Sequence, residues 1–265
     1  MAEAHHHHHH QHDEANNLSH DQRNLAHWDK VAKTYNSDHT QKAFGDLINK
    51  ATEFVLANIS SIGIDFIELS STFEGSDINK ARKTVKVLDY ACGPGTITAI
   101  LAGRATEFIG IDLSPNMVNE YNERFAAQVD GEKLIAHAYN ANLFDPAGVS
   151  EFMNDAKFFD FDLVAVGFGF HHFENLPMVT QRLVDRLKAA GVLMILDFFS
   201  HQKNDLGQDP ANNTIAHNGF TEEQIKGLFL QAGLVDAKVF DFGQDVLLKG
   251  HAVRRPFMAR GRKPA

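Results

Sequence analysis

Apolar and polar positions follow two different rhythms along this chain. Between Asp21 and Asn58 the apolar residues recur at three- and four-residue spacing: Leu25, Trp28, Val31 and Ala32, then Phe44, Leu47, Ile48, Phe54 and Val55. That period predicts helices, set apart from the main core as a lid or cap. Residues 60–83 mix short apolar runs with Gly, Ser and Asp and read as a linker. From there the chain alternates. Strand-like runs fall at 85–90, 107–112, 133–139, 161–167 and 191–198, with helical patterns at 95–103, 115–127 and 176–189 between them. A helix at 221–232, a strand at 236–241, the short connection GQD and a strand at 246–260 follow.

Strands separated by helix-length segments require right-handed crossovers, hence a mostly parallel sheet covered on both faces. The short GQD connection implies a hairpin that makes the final strand antiparallel. The expected fold is α/β, a doubly wound, seven-stranded, mostly parallel Rossmann-like sheet with an antiparallel last strand and N-terminal cap helices. Three regions are expected: a His-rich tail at 1–20, cap helices and linker at 21–83, and the sheet domain at 84–265.

Composition narrows the classes. The formal charge of −9, from 34 acidic and 25 basic residues, disfavours non-specific nucleic-acid binding. A single cysteine, Cys92, excludes an internal disulfide framework and fits a reducing, cytoplasmic setting. No apolar run is long enough to span a bilayer, and the N-terminus has no apolar core of a signal peptide. His5–His10 reads either as an affinity tag or as a native tract that binds metal loosely; elsewhere the histidines lack metal-ligand spacing, so no metal site is expected.

The candidate chemistry lies in VLDYACGPGTIT, from Val87 to Thr98. In an open α/β sheet the ligand sits beyond the carboxyl ends of the strands, at the first strand-to-helix turn. Gly93 and Gly95 stand there, but Thr98 replaces the third glycine of the dinucleotide fingerprint. Asp89, just before the turn, would repel a pyrophosphate and welcome an ammonium or sulfonium. Asp112 ends the next strand, where an acid takes the two hydroxyls of an adenosine ribose. The pair favours S-adenosyl-L-methionine over a nicotinamide dinucleotide.

VLDYACGPGTIT followed by FIGIDLSPNMV resembles the first two motifs of class I S-adenosylmethionine-dependent methyltransferases, in particular the UbiE-like small-molecule group. HWDKVAKTYN, LKAAGVLMILDF and NGFTEEQIKGLFLQAGL resemble further segments of that group. The resemblance implies that Asp89, Gly93 and Gly95 line the methionine end and that Asp112 binds the ribose. It places Leu113, Met117, Ala141 and Leu143 near the adenine. Asn140 stands where the group usually has an Asp that accepts from the adenine amine, with Asn142 an alternative polar contact.

VAVGFGFHHFEN enters the expected acceptor region. His172, and secondarily His217, are the candidate bases, since imidazole titrates near neutrality; His171 neighbours the first, and His201 is weaker. Phe168, Phe170, Phe173, Phe198 and Phe199 suit a flat or apolar acceptor, and Trp28 and Tyr35 could close over the cofactor. In-line displacement at a sulfonium methyl asks for alignment and dryness rather than a triad or a metal. The expected function is methyl transfer to a small aromatic or apolar molecule. A quinone precursor as acceptor, or a cofactor-binding regulator without turnover, are the alternatives.

Overall fold

The structure, a computed structural model, describes residues 18–35, 38–67, 83–126, 135–145, 151–202 and 209–265. Two helices open it, α1 (His20–Tyr35) and α2 (Asp38–Ala57), followed by one turn, α3 (Ile59–Ile62). The sheet domain then runs β1 (Lys86–Tyr90), α4 (Thr96–Ile100), β2 (Glu107–Asp112), α5 (Pro115–Ala126), β3 (Ile135–Asn140) and β4 (Phe161–Gly167). It continues with α6 (Leu176–Asp185), β5 (Leu187–Phe198), α7 (Glu222–Gln231), β6 (Val235–Asp241), β7 (Val246–Leu248), β8 (Ala252–Arg254) and β9 (Pro256–Arg262).

The main sheet has seven strands in the order β3-β2-β1-β4-β5-β9-β6. β1 through β5 are parallel, and β9 runs antiparallel between β5 and β6. Strand order reverses between β1 and β4, so the crevice beyond β1 is the switch point where such sheets hold ligands. The central strands are apolar on both faces because both are covered. Leu88, Tyr90, Val164, Val166 and Ile195 pack with α6 and α7, while Val87, Leu163, Ala165 and Met194 pack with Val55 of α2 and Ile97 of α4.

Helix starts follow their caps. Ser114 Oγ accepts from the Met117 amide at 3.1 Å. The Asn175 side chain accepts from Met178 N at the start of α6, and Thr221 with Gln224 forms a capping box on α7.

Three sequence expectations differ. The run 246–260 is not one strand: Lys249 (φ 50°) and Gly250 (φ 78°) turn left-handed and reverse the chain. β7 pairs with β8 in a separate two-stranded sheet, and β6 finds its antiparallel partner in β9 instead of across GQD. The helix expected to 189 stops at Asp185; Leu187 pairs with Phe161 of β4 and, after a shift in register, Val192 with Leu163, so LKAA lies in β5 despite good helix propensity. The helix expected at 95–103 keeps only Thr96–Ile100. Much of the tail and linker, residues 1–17 and 68–82, lies outside the described residues.

Candidate functional site

The turn after β1 is built on three left-handed residues, Ala91 (φ 53°), Gly93 (φ 48°) and Gly95 (φ 84°). Ala91 pays about 1–2 kcal/mol for that conformation. Phe168 (φ 55°), at the end of the neighbouring strand β4, does the same, so both walls of the crevice carry strained backbone.

Asp89 is 1% exposed, and its Oδ2 accepts from the Thr98 amide at 3.1 Å and the Thr98 hydroxyl at 2.9 Å. Thr98 Oγ1 in turn lies 2.9 Å from the Tyr121 hydroxyl. The residue in the third-glycine place is thus the partner of the first acid. Burial pushes the Asp89 carboxyl up to about 7, against the pull of the two Thr98 bonds. Asp112 Oδ2 accepts from Gly93 N at 2.8 Å and its Oδ1 from Ser114 N at 2.9 Å. Burial raises this carboxyl to about 6, opposed by those amide bonds.

Both carboxylates line one cavity of about 470 Å³. Of the residues picked from sequence, the cavity brings together Asp89, Gly93, Asp112, Leu113, Met117 and His172. It leaves out five. A Cβ on Gly95 would fall within the Phe125 ring and 2.9 Å from Tyr121 Cδ2, so this glycine serves the packing of α4 against α5. Asn140 is exposed and turns its amide to the carbonyls of Asp112 (3.1 Å) and Leu113 (2.8 Å), on a separate groove. The Ala141 amide is bonded to Asp112 O at 3.1 Å, and Leu143 is wholly buried in the core. Asn142 reaches the cavity instead, with Oδ1 accepting from Phe144 N at 2.8 Å. His217 also lies off the cavity lining, its Nε2 buried without a partner among the described residues.

Helix α1 closes the cavity, and sequence reasoning missed most of the groups that fasten it. Asp29 accepts from Ser114 Oγ (2.9 Å), Asn116 N (3.0 Å) and Asn116 Nδ2 (2.9 Å), tying α1 to the start of α5. Asn142 Nδ2 donates to Asp21 Oδ2 at 2.9 Å. On the opposite wall, His20 Nε2 donates to His172 O at 2.7 Å and Asn24 Nδ2 to Thr214 O at 3.3 Å. Ser19 and His20 fall within the tail expected at 1–20, because polar contacts made by a helix end leave no periodic signal. Trp28 lines the cavity and meets the His172 ring edge-on at 5.4 Å; the Tyr35 side chain lies outside the described residues.

The two histidines divide their tasks. His171 Nδ1 sits 2.9 Å from Oδ1 of the fully buried Asp197, whose Oδ2 also accepts the His171 amide at 3.0 Å; this pair fixes the turn. His172 Nδ1 lies 2.7 Å from the Thr214 carbonyl. A carbonyl can only accept, so Nδ1 carries the proton and Nε2 keeps its lone pair. Burial, then the neighbouring His171, hold the His172 imidazole well below its usual range, so it is neutral near pH 7. Phe168 and Phe173 line the cavity; Phe170 and Phe199 belong to the main core, and Phe198 packs with α2 and the β7–β8 hairpin.

Residues 88–193 match a family model described as a methyltransferase domain. Over 237 residues the chain is 28% identical to an uncharacterized methyltransferase of Schizosaccharomyces pombe, covering 83% of this chain and 82% of that one. Among solved structures, a candidate O-methyltransferase of Nostoc punctiforme superposes with a TM-score of 0.52 at 18% identity, covering 89% of this chain and 60% of that one. Phosphoethanolamine N-methyltransferase 2 of Haemonchus contortus, bound to phosphomonomethylethanolamine and S-adenosylhomocysteine, gives 0.57 at 13% identity, covering 94% and 61%. The chain spans about three fifths of each of these two solved chains, and the likeness is one of fold. The aspartate-glycine crevice falls within residues 88–193, the segment that matches the methyltransferase domain.

Proposed function

We propose that this chain transfers a methyl group to a small-molecule acceptor held between the glycine turn and helix α1. The observation that carries the proposal is the cavity itself: about 470 Å³, roofed by a helix bonded to both walls, a size and shape that suit a small molecule. The sequence Trp28-Asp29 within α1 supports a place in the UbiE-like group, since both residues serve the roof.

The residues present fit the cofactor. Asp112, oriented by two amides, offers a carboxylate to the ribose hydroxyls. Asp89 supplies negative potential for the methionine end, while Leu113 and Met117 give an apolar flank and Asn142 a polar contact for the adenine. The cofactor supplies a methyl on a sulfonium leaving group. The protein aligns the acceptor, excludes water and, through His172 Nε2, takes a proton where the nucleophile must lose one.

The test is transfer of label from methyl-labelled S-adenosylmethionine into a cell extract, with organic-soluble products separated from protein and RNA. Label in a small molecule supports the proposal. Label in protein or RNA overturns it, and cofactor binding without any transfer favours a regulator.

A further inference from the structure

The charge census of the cavity goes one step beyond the small-molecule reading, on which it rests. Among the described residues, the lining contains Asp21, Asp89, Asp112 and Glu174 but no Lys or Arg. Three arginines bonded to neighbouring segments are committed elsewhere, Arg182 to the carbonyl of Leu143. Arg23 donates to the carbonyls of Leu18 (2.6 Å) and Asn213 (3.3 Å) and to His20 Nδ1 (3.3 Å). Arg124 donates to Pro94 O at 3.0 Å. The cofactor carboxylate can be met by the amides of the glycine turn; among the described residues the other polar side chains of the lining, Ser19, Asn24, Asn142 and Asn175 among them, carry no positive charge. The walls on the acceptor side are Trp28, Phe144, Phe168, Phe173 and Met178, with His172 Nε2 as an acceptor of hydrogen bonds.

His20 has both ring nitrogens engaged by the protein, Nε2 donating to His172 O and Nδ1 accepting from Arg23. His172 is kept neutral by burial. A phosphate or carboxylate on the acceptor would therefore enter among like charges with no counter-ion from the lining side chains, an arrangement that opposes binding.

We infer that the acceptor is an uncharged aromatic molecule whose hydroxyl or N–H donates to His172 Nε2, and that acceptors bearing a phosphate or carboxylate are rejected. In the reaction, the nucleophile's O–H or N–H bond gives its proton to Nε2, the nucleophile's electron pair forms the bond to the methyl carbon, and the sulfonium sulfur keeps the electrons of the bond that breaks.

The test uses the full chain saturated with S-adenosylhomocysteine and two probes of the same shape, 2-naphthol and 2-naphthoate, with binding measured by calorimetry at pH 7.5. The expected result is at least tenfold tighter binding of the naphthol, with the preference narrowed by Glu174→Lys, an exposed position where the change leaves the fold intact. Equal or tighter binding of the naphthoate overturns the inference, and so does binding of neither probe. Failure of the chain to bind S-adenosylhomocysteine in the preceding titration would count instead against the cofactor assignment.

Discussion

Asp112 Oδ2 and the Gly93 amide are hydrogen-bonded at 2.8 Å, so the acid at the end of β2 and the glycine turn after β1 form one unit. Replacing Asp112 disturbs both. Asp112→Asn, which retains one acceptor oxygen and loses the charge, is expected to weaken S-adenosylhomocysteine binding by about 1.5–3 kcal/mol, the scale of a charged hydrogen bond. Calorimetry on the folded variant measures this, and an unchanged Kd would remove Asp112 from the ribose site.

The two glycines of the turn should part company on substitution. Gly93 has open space about it, the nearest atom to an added Cβ being Met117 Sδ at 4.0 Å. Gly93→Ala is expected to cost about 1–2 kcal/mol for the left-handed backbone alone, yet to impair cofactor binding. Gly95→Ala adds a collision with Phe125 and Tyr121, for a loss of about 3 kcal/mol or more by urea denaturation. Phe125→Ala in the same chain should recover part of that loss.

How far the sequence reached follows from the kind of signal each feature leaves. Apolar runs of strand length marked β1 to β6, continuous in the central strands because both faces of the sheet are covered. The strand split at Lys249 escaped because a left-handed lysine has no compositional mark, and only Gly250 beside it hinted at the turn. Asp89, Gly93 and Asp112 were legible as strand-end chemistry. Asn140, the last residue of β3, and Asn142, two residues beyond it, were not separable, since the end of a strand carries no register until the chain is placed. Gly95, expected at the ligand, lies off the cavity lining and packs closely against Phe125 and Tyr121. Asp29, His20 and Asp197 act through polar contacts between segments distant in sequence, which neither periodicity nor motif spacing encodes.

Cofactor binding should strengthen with pH. In the ligand-free fold Asp89 and Asp112 are raised from an ordinary 3.8 to about 7 and about 6. Between roughly pH 4 and pH 7 the folded state therefore holds protons the unfolded state has released, and stability falls as pH rises through that window. A ligand that needs ionised carboxylates reverses the trend. Its affinity should rise by up to tenfold per pH unit for each carboxylate that must ionise, levelling near pH 7. The S-adenosylhomocysteine-induced rise in Tm, compared at pH 5.5 and pH 8, is expected to be larger at pH 8; a pH-independent shift would contradict the assignment.

His172 and His217 are distinguished by their relation to the cavity. His172→Ala should reduce turnover by about 10²–10⁴-fold where the acceptor must lose a proton, with the cofactor Kd nearly unchanged. In the unmodified protein the acid limb of kcat should fall below the usual histidine range, because burial lowers this imidazole. His217→Ala should leave kcat within about twofold. A greater loss at His217 than at His172 would exchange their roles.

The hold of helix α1 on the site can be tested at Asp29, which accepts three hydrogen bonds from Ser114 and Asn116 within 3.0 Å. Ser114 also donates its amide to Asp112, so one residue links the roof to the second site acid. Asp29→Ala leaves the Asn116 amide and the Ser114 hydroxyl without their acceptor and should loosen α1 by about 1–3 kcal/mol. Because α1 is bonded to both walls, this loss should appear in two readouts. The amides of His20–Tyr35 should exchange faster with solvent while those of β4 and β5 do not, and release of S-adenosylhomocysteine should quicken. Asp29→Asn, which keeps one acceptor oxygen, should fall between the two. Faster exchange with unaltered release would mean that α1 covers the cavity without retaining what lies beneath it.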